Sequence, residues 1–379
     1  MRRLRIWPVV ALACLLGATP AAATAHDSAA PAERGGQPIP ADLSSGSLVV
    51  PVLVNGRTFD AVLDTGASAT VFDTAFARSL GMATEAAVEI GGGAQAVSGG
   101  RGAPVQISIG SGTFTARPLL TDFATFGLEQ KILIGRDFFD AFVVQIDFDA
   151  PAVRVSPRDG FVESDGLGAL VPLASTKTAM LSVPVEIDGA DARAALDLGS
   201  QLGVEIPSAL IGTGRQSTWV IGDISGWRTY PTTSVSRLRL AGTDLQDVPA
   251  IVRDHPERPG QPTLGLPVLR RFLVTLDLGG RRMWLRPGPA VAAPFPHDRL
   301  GLAWLPEDGG LRVVHVAANS PAAAAGFVAD DVVVAVDGTD VRPDNAAVLK
   351  RAGKAPAGTV VRLRTAAGVA RSVTLADYD

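Results

Sequence analysis

A chain of 379 residues has room for two or three domains, and 47% hydrophobic against 19% charged residues supports packed cores rather than wholesale disorder. The net charge of −4 leaves no basic footprint, which argues against a nucleic-acid partner. The single cysteine, Cys14, excludes an intrachain disulfide, and four scattered histidines (His26, His255, His297, His315) with no HExxH or His-x-His pair argue against a histidine metal centre.

Residues 1–25 read as an export signal. Arg2, Arg3 and Arg5 form a positive start, Ile6 to Gly17 is an apolar run too short to cross a bilayer comfortably, and Ala23-Thr24-Ala25 fits a small-x-small cleavage site before His26. Cys14 lacks the leading Leu of a lipid-attachment site, and the apolar run continues past it, so no lipid anchor is expected there. Removal of the signal would leave 31 basic and 38 acidic residues and no later run long enough for a membrane span. The expectation is an exported protein, periplasmic or secreted. Residues 26–45, rich in Ala, Pro, Gly and Ser, read as a flexible lead-in.

From Leu48 the pattern changes to short β-branched runs punctuated by turns. Val49–Val54, Asn55-Gly56 and Thr58–Leu63 predict a tight hairpin. Strands follow at Val105–Ile109, Phe114–Leu120, Val143–Phe148 and Val153–Val155, and the only helical pieces are short, Asp73–Leu80 and Arg136–Phe142. The chain then repeats. Leu48–Gly66 set above Leu181–Gly199 without a gap has nine identities in nineteen positions, including Asp64/Asp197 and Gly66/Gly199. Ile134-Gly135, Phe142, Val144 and Asp147 align in turn with Leu264-Gly265, Phe272, Val274 and Asp277. Two copies of this size predict a duplicated, mainly β lobe rather than a solenoid. The boundaries read as 46–160 and 178–288.

After the Pro-rich stretch Arg286–Pro296, a separate module spans 298–379. Gly301-Leu302-Ala303-Trp304, Val313–Val316, Val332–Val336 and Val360–Leu363 read as strands. Asn319-Ser320-Pro321 ahead of Ala322–Ala325 and Gly326 reads as a capped short helix.

Asp64-Thr65-Gly66-Ala67-Ser68 follows an apolar strand, and Ile132-Leu133-Ile134-Gly135-Arg136-Asp137 comes about 70 residues later. This combination resembles the retropepsin-like aspartic proteases, well over 46–160 and more faintly over 178–288. The resemblance implies a pepsin-like pseudo-dimer in which Asp64 and Asp197 form a catalytic pair, supported by loop residues Thr65, Gly66, Gly199 and Ser200. It implies a protein or peptide substrate and needs neither metal nor cofactor. The second lobe departs from the pattern, with Leu198 where the family has Thr. Ser200 offers a hydroxyl beside Asp197 that Ala67 does not offer beside Asp64. Covering flaps are expected at Ile90–Gly93 (Gly91, Gly92) and Gly99–Gly102 in the first lobe, and at Gly222–Trp227 in the second.

Val316–Ala322, Ala325-Gly326 and Asp330–Gly338 resemble a PDZ domain of the kind attached to bacterial exported proteases. The resemblance implies capture of a peptide carboxyl end as an added strand, with Gly301, Leu302, Ala303 and Trp304 in the position of the peptide-binding loop. Two further readings stay open: a pseudo-protease that grips peptides without cutting, which Leu198 favours, and a homodimer pairing two copies of Asp64.

Overall fold

The structure is a computed structural model that describes residues 36–91, 95–123, 128–178, 180–211, 217–255 and 258–378. The expected signal, Cys14, most of the lead-in and the flap residue Gly92 lie outside the described residues.

Asn55 and Gly56 take positive φ angles of 48° and 79°, which join Val49–Val54 and Arg57–Leu63 in a two-residue hairpin turn. Asp188 and Gly189 repeat it at 48° and 88° between Leu181–Ile187 and Ala190–Asp197. The topology that follows also repeats. Arg57–Leu63 runs parallel to Ile132–Ile134, which is antiparallel to Val71–Asp73. Ala190–Asp197 runs parallel to Thr263–Gly265, which is antiparallel to Val204–Ile206. Each glycine strand leads into a four-residue helix, Arg136–Phe139 or Leu266–Leu269. The first is shorter than the sequence predicts, because Phe142 already opens the next strand.

That strand joins the lobes. Phe142–Asp147 pairs antiparallel with Phe272–Asp277 (Val144↔Leu276, Ile146↔Val274) at the centre of a six-stranded sheet. Val144, Ile146, Val274 and Leu276 are all fully buried, so the apolar positions of both lobes feed one core. Ile39–Pro40 adds an edge strand against Ala152–Val153, and Asp42 bridges to Val49. This end of the expected flexible lead-in is therefore ordered, because Ile39 buries its side chain in the shared core. The Pro-rich stretch is also packed. Its first residues belong to Arg282–Pro287, and the Arg271 guanidinium stacks 4.1 Å from the Phe295 ring while bonding Pro294 O at 3.1 Å.

The C-terminal module has its own core, including Leu302, Val313, Val333 and Leu363. Its sheet begins at Leu302–Glu307, an edge strand paired only with Gly310–Val316. Ser320 Oγ accepts the Ala323 N–H and Pro321 occupies the first turn, as the sequence predicts for the helix Pro321–Ala324. The module touches the second lobe where Ser217 Oγ donates to Ala318 O at 2.6 Å and His315 Nε2 lies 3.1 Å from Thr218 O. Among the described residues no helix is long and apolar enough to cross a membrane.

Asp277 anchors the shared sheet. Its side chain is 2% exposed and accepts bonds from Arg282 (2.7 Å), Arg158 (2.9 Å) and the Gly280 N–H (2.9 Å). Burial opposes its charge, but these donors outweigh burial and hold the carboxyl below the usual carboxylate range. A depressed native pKa gives stability that is present above the unfolded value and is lost as pH falls through the native one. Asp277→Asn should therefore unfold at a lower temperature than wild type at pH 7, by an amount worth about 1–3 kcal/mol, with the gap closing below about pH 3. Thermal melts between pH 2.5 and 7 check this.

Candidate active site

The two Asp-x-Gly loops leave paired strands and meet face to face. Leu63 and Leu196 are tied into their hairpins and glycine strands, so each following aspartate starts from a fixed strand end. Asp64 N–H donates to Ile134 O at 2.9 Å. Asp64 Oδ1 accepts the N–H groups of Gly66 (2.8 Å) and Ala67 (3.2 Å). Asp197 Oδ1 accepts those of Gly199 (2.9 Å) and Ser200 (3.1 Å) in the same arrangement.

The glycines are required by the opposite lobe. A Cβ on Gly66 would lie 2.6 Å from Asp197 Oδ1, and one on Gly199 would lie 2.5 Å from Asp64 Cγ. Each carboxylate thus fills the space a side chain would need on the other loop. Gly135 and Gly265 face a similar limit, since a Cβ on either would overlap the Ala69 or Leu202 backbone. Arg136 N–H bonds Ala67 O and Leu266 N–H bonds Ser200 O, both at 2.9 Å, which clamps each loop onto its short helix. Thr70 adds two bonds to Asp137 Oδ1 in the first lobe only, because Pro267 stands at the corresponding place in the second.

Thr65 is 1% exposed and ties its own loop to the Asp197 loop. Its hydroxyl donates to Leu196 O (3.1 Å) and accepts the Leu198 N–H (3.0 Å). Leu198 returns no such bond; it is fully buried in the common core. The Ser200 hydroxyl accepts the Leu202 N–H at 3.3 Å, so the described support for Asp197 from this residue comes through its backbone N–H rather than its side chain.

Both aspartates keep some accessible surface, yet protein closes around their carboxyls. Burial, then the Asp197 charge, pushes Asp64 up to about 8. Burial also raises Asp197, opposed by the hydrogen bond to Asp64, by its two loop N–H groups and by the positive charge of Arg258. Two desolvated carboxyls at this separation hold one proton between them. Such a pair can activate a water with its ionised member and protonate a leaving group with the other.

A charged cluster flanks Asp197 that the sequence reading missed. Glu205 lies 3.6 Å from Arg253, whose second amino group bonds Asp223 at 2.9 Å and whose guanidinium sits 4.9 Å from the Tyr230 ring. Arg258 Nη1 donates to Thr263 Oγ1 at 2.9 Å. His255 is 9% exposed with a buried, unpartnered Nδ1, and burial together with Arg258 and Arg253 lowers it to about 4. The signal was present in the repeat, where charged residues replace apolar ones, but it becomes readable only once strand register is known.

The expected flap residues fare differently. Gly91 ends the Thr84–Gly91 strand on an exposed hairpin, whereas Gly99, Gly100 and Gly102 lie within the paired strand Ala96–Gly102. A Cβ on Gly99 would overlap Ile90, so these glycines serve packing rather than a turn. Gly222 pairs with Trp227, whose indole lies over it and is 42% exposed. In the C-terminal module Gly301 has φ +85° and packs against Ser320. Its N–H already donates to Asp298 Oδ2 at 2.6 Å, and Tyr378 OH donates to the same oxygen at 2.7 Å. Leu302 and Ala303 are buried, and Trp304 packs half-buried against the module's core.

Thr65→Val should remove both cross-lobe bonds and strand a buried carbonyl and N–H, costing about 2–4 kcal/mol, while Thr65→Ser keeps most of that stability. Chemical denaturation of the three proteins measures the difference.

Residues 50–138 match the family model described as aspartyl protease, and residues 312–366 match that of the PDZ domain. Among curated proteins none matches the chain. The matched segments hold the Asp64 loop with its glycine strand and most of the C-terminal sheet, so the chain carries an aspartyl protease family domain followed by a PDZ domain.

Proposed function

We propose that the protein is an exported aspartic endopeptidase whose two lobes, a duplicated pair, supply Asp64 and Asp197 to one catalytic dyad. The observation that carries this reading is the reciprocal fit of Gly66 against the Asp197 carboxyl and Gly199 against that of Asp64. It brings the two acids together within one chain and leaves no room for a side chain between them. In the proposed reaction the ionised carboxylate takes a proton from water, which attacks the peptide carbonyl. The protonated carboxyl polarises that carbonyl and then serves the departing amine. No metal or organic cofactor enters these steps. The PDZ domain is proposed to hold a peptide end along the open edge of Leu302–Glu307 and so to present protein substrates.

The pseudo-protease reading draws on Leu198, which cannot reproduce the Thr65 bonds. A single hydroxyl is both donor and acceptor, however, and Thr65 already spends it on both Leu196 and Leu198. The loops are therefore tied without a second threonine.

Digestion of denatured casein by the purified protein from pH 3 to 9 tests the proposal. Cleavage should peak while the pair holds one proton and fall away towards pH 8 and above, as the second proton leaves. Asp64→Asn and Asp197→Asn should each lower the rate by at least ~10³-fold. Loss with Asp64→Asn alone would indicate pairing between chains. No cleavage by wild type, with peptide binding retained, would establish the pseudo-protease reading.

A further inference from the structure

The lobes share a topology but not the surroundings of their aspartates. Strand register fixes the correspondence. Val62 pairs with Val49 and Leu133 in the first lobe, as Ala195 pairs with Ser182 and Thr263 in the second. Val71 lies opposite Leu133, as Glu205 lies opposite Thr263. Val71 and Glu205 pair in parallel with Leu119 and Ile251, and four residues beyond those come Phe123 and His255.

In the first lobe Val49, Val62, Val71, Leu133 and Phe123 make a buried apolar cluster. An ionisable group beside it, Asp73, caps a helix through Phe76 N–H and also accepts the Phe123 N–H. In the second lobe the same positions read Ser182, Ala195, Glu205, Thr263 and His255, with Arg258 bonded to Thr263. Val62 and Ala195 stand two residues before their aspartates; Ala195 shares a strand face with Asp197, and Asp64 follows directly on the end of Val62's strand. Asp64 therefore rests on an apolar flank, and Asp197 on a polar one whose Thr263 holds the buried Arg258.

We infer that Arg258, held by Thr263 on the strand beside Asp197, makes Asp197 the ionised member of the pair and leaves the shared proton on Asp64. Arg258 acts through Asp197 and is a positioning residue. The groups facing Asp197 support this assignment. Asp64 shares its proton, Arg258 favours its charge, and Glu205 disfavours it. Arg253 offsets Glu205 and is itself held by Asp223 over Tyr230. His255, kept neutral by burial and its arginine neighbours, adds no charge. Under the two-aspartate reading proposed above, on which this inference rests, Asp197 is then the base that activates water and Asp64 the acid.

The test needs no turnover. Protein labelled with 13C at the aspartate carboxyl carbons is titrated from pH 3 to 9, with signals assigned through Asp64→Asn and Asp197→Asn. Asp197 should ionise first and Asp64 well above it. Arg258→Met should move the Asp197 titration up by about one pH unit and narrow the gap, while Arg258→Lys keeps the wild-type order. Glu205→Gln, which retains shape, should move Asp197 down and covers the case in which Arg258→Met does not fold. Asp64 ionising first, or titrations unmoved by these substitutions, would overturn the inference. A protein that titrates as expected but cuts no peptide would sink the endopeptidase reading and leave the proton assignment standing.

Discussion

Two carboxyls brought together out of water repel when both are charged, by about 4 kcal/mol at 4 Å in a surrounding of effective dielectric 20. Several features around Asp64 and Asp197 answer that repulsion. Four backbone N–H groups point at the two Oδ1 atoms, one hydroxyl from the first loop ties the residues just before and after Asp197, and a shared proton removes one of the charges. The six-stranded sheet supplies the leverage, because its central pairing of Val144 with Leu276 prevents the lobes from relaxing apart. Stability and chemistry thus have one geometric origin. The packing that buries the sheet also desolvates the acids.

The repeat is symmetric where sterics rule and asymmetric where hydrogen bonds and charges rule. Gly66 and Gly199, and likewise Gly135 and Gly265, are each fixed by an atom that a Cβ would strike, and no other residue type meets that limit. Thr65 and Leu198 are free to differ because one hydroxyl suffices for one donor and one acceptor. Valine at 71 and glutamate at 205 differ because either an apolar cluster or a paired ionic one fills the space beside the strand. A single chain can carry different residues at the two places, whereas two identical copies could not.

The Asp-x-Gly loops were legible because the same short motif recurs after two matching hairpins, and the hairpin turns because local sterics dictate them. Asn55-Gly56 and Asp188-Gly189 can do little besides turn. The interlobe sheet was not legible. Val143–Phe148 read as a strand and the repeat aligned Phe272 to Asp277 with its region, but nothing in either segment names the other as partner. Ile39–Pro40 was hidden for a related reason, since one buried isoleucine in an Ala/Pro/Gly-rich stretch carries no periodicity. Gly99–Gly102 misled in the opposite sense. Glycine signals either a turn or a close approach, and only the neighbouring Ile90 and Leu120 decide which. The Glu205–Arg253–Asp223 cluster gathers residues from two strands and from the loop just after a third, and its members are ordinary charged residues until register brings them together.

That cluster also bears on how firmly the hairpins near the aspartates are held. In the second lobe the hairpin of Ser217–Asp223 and Gly226–Leu240 is held at both ends. Asp223 at its tip bonds the buried Arg253, and Ser217 and Thr218 at its base bond the PDZ domain. Lifting it would expose Arg253 and break an ion pair, a loss of about 3–5 kcal/mol where the partners are fully buried and less here, since Asp223 is partly accessible. The first-lobe hairpin of Thr84–Gly91 and Ala96–Gly102 is lighter. Its described side-chain ties are Ser98 to Glu89 and Arg117 to Glu85, both exposed and each worth at most about 1 kcal/mol. The second hairpin is thus the more firmly held of the two by its side chains, and it keeps Arg253 and Glu205 in place beside Asp197.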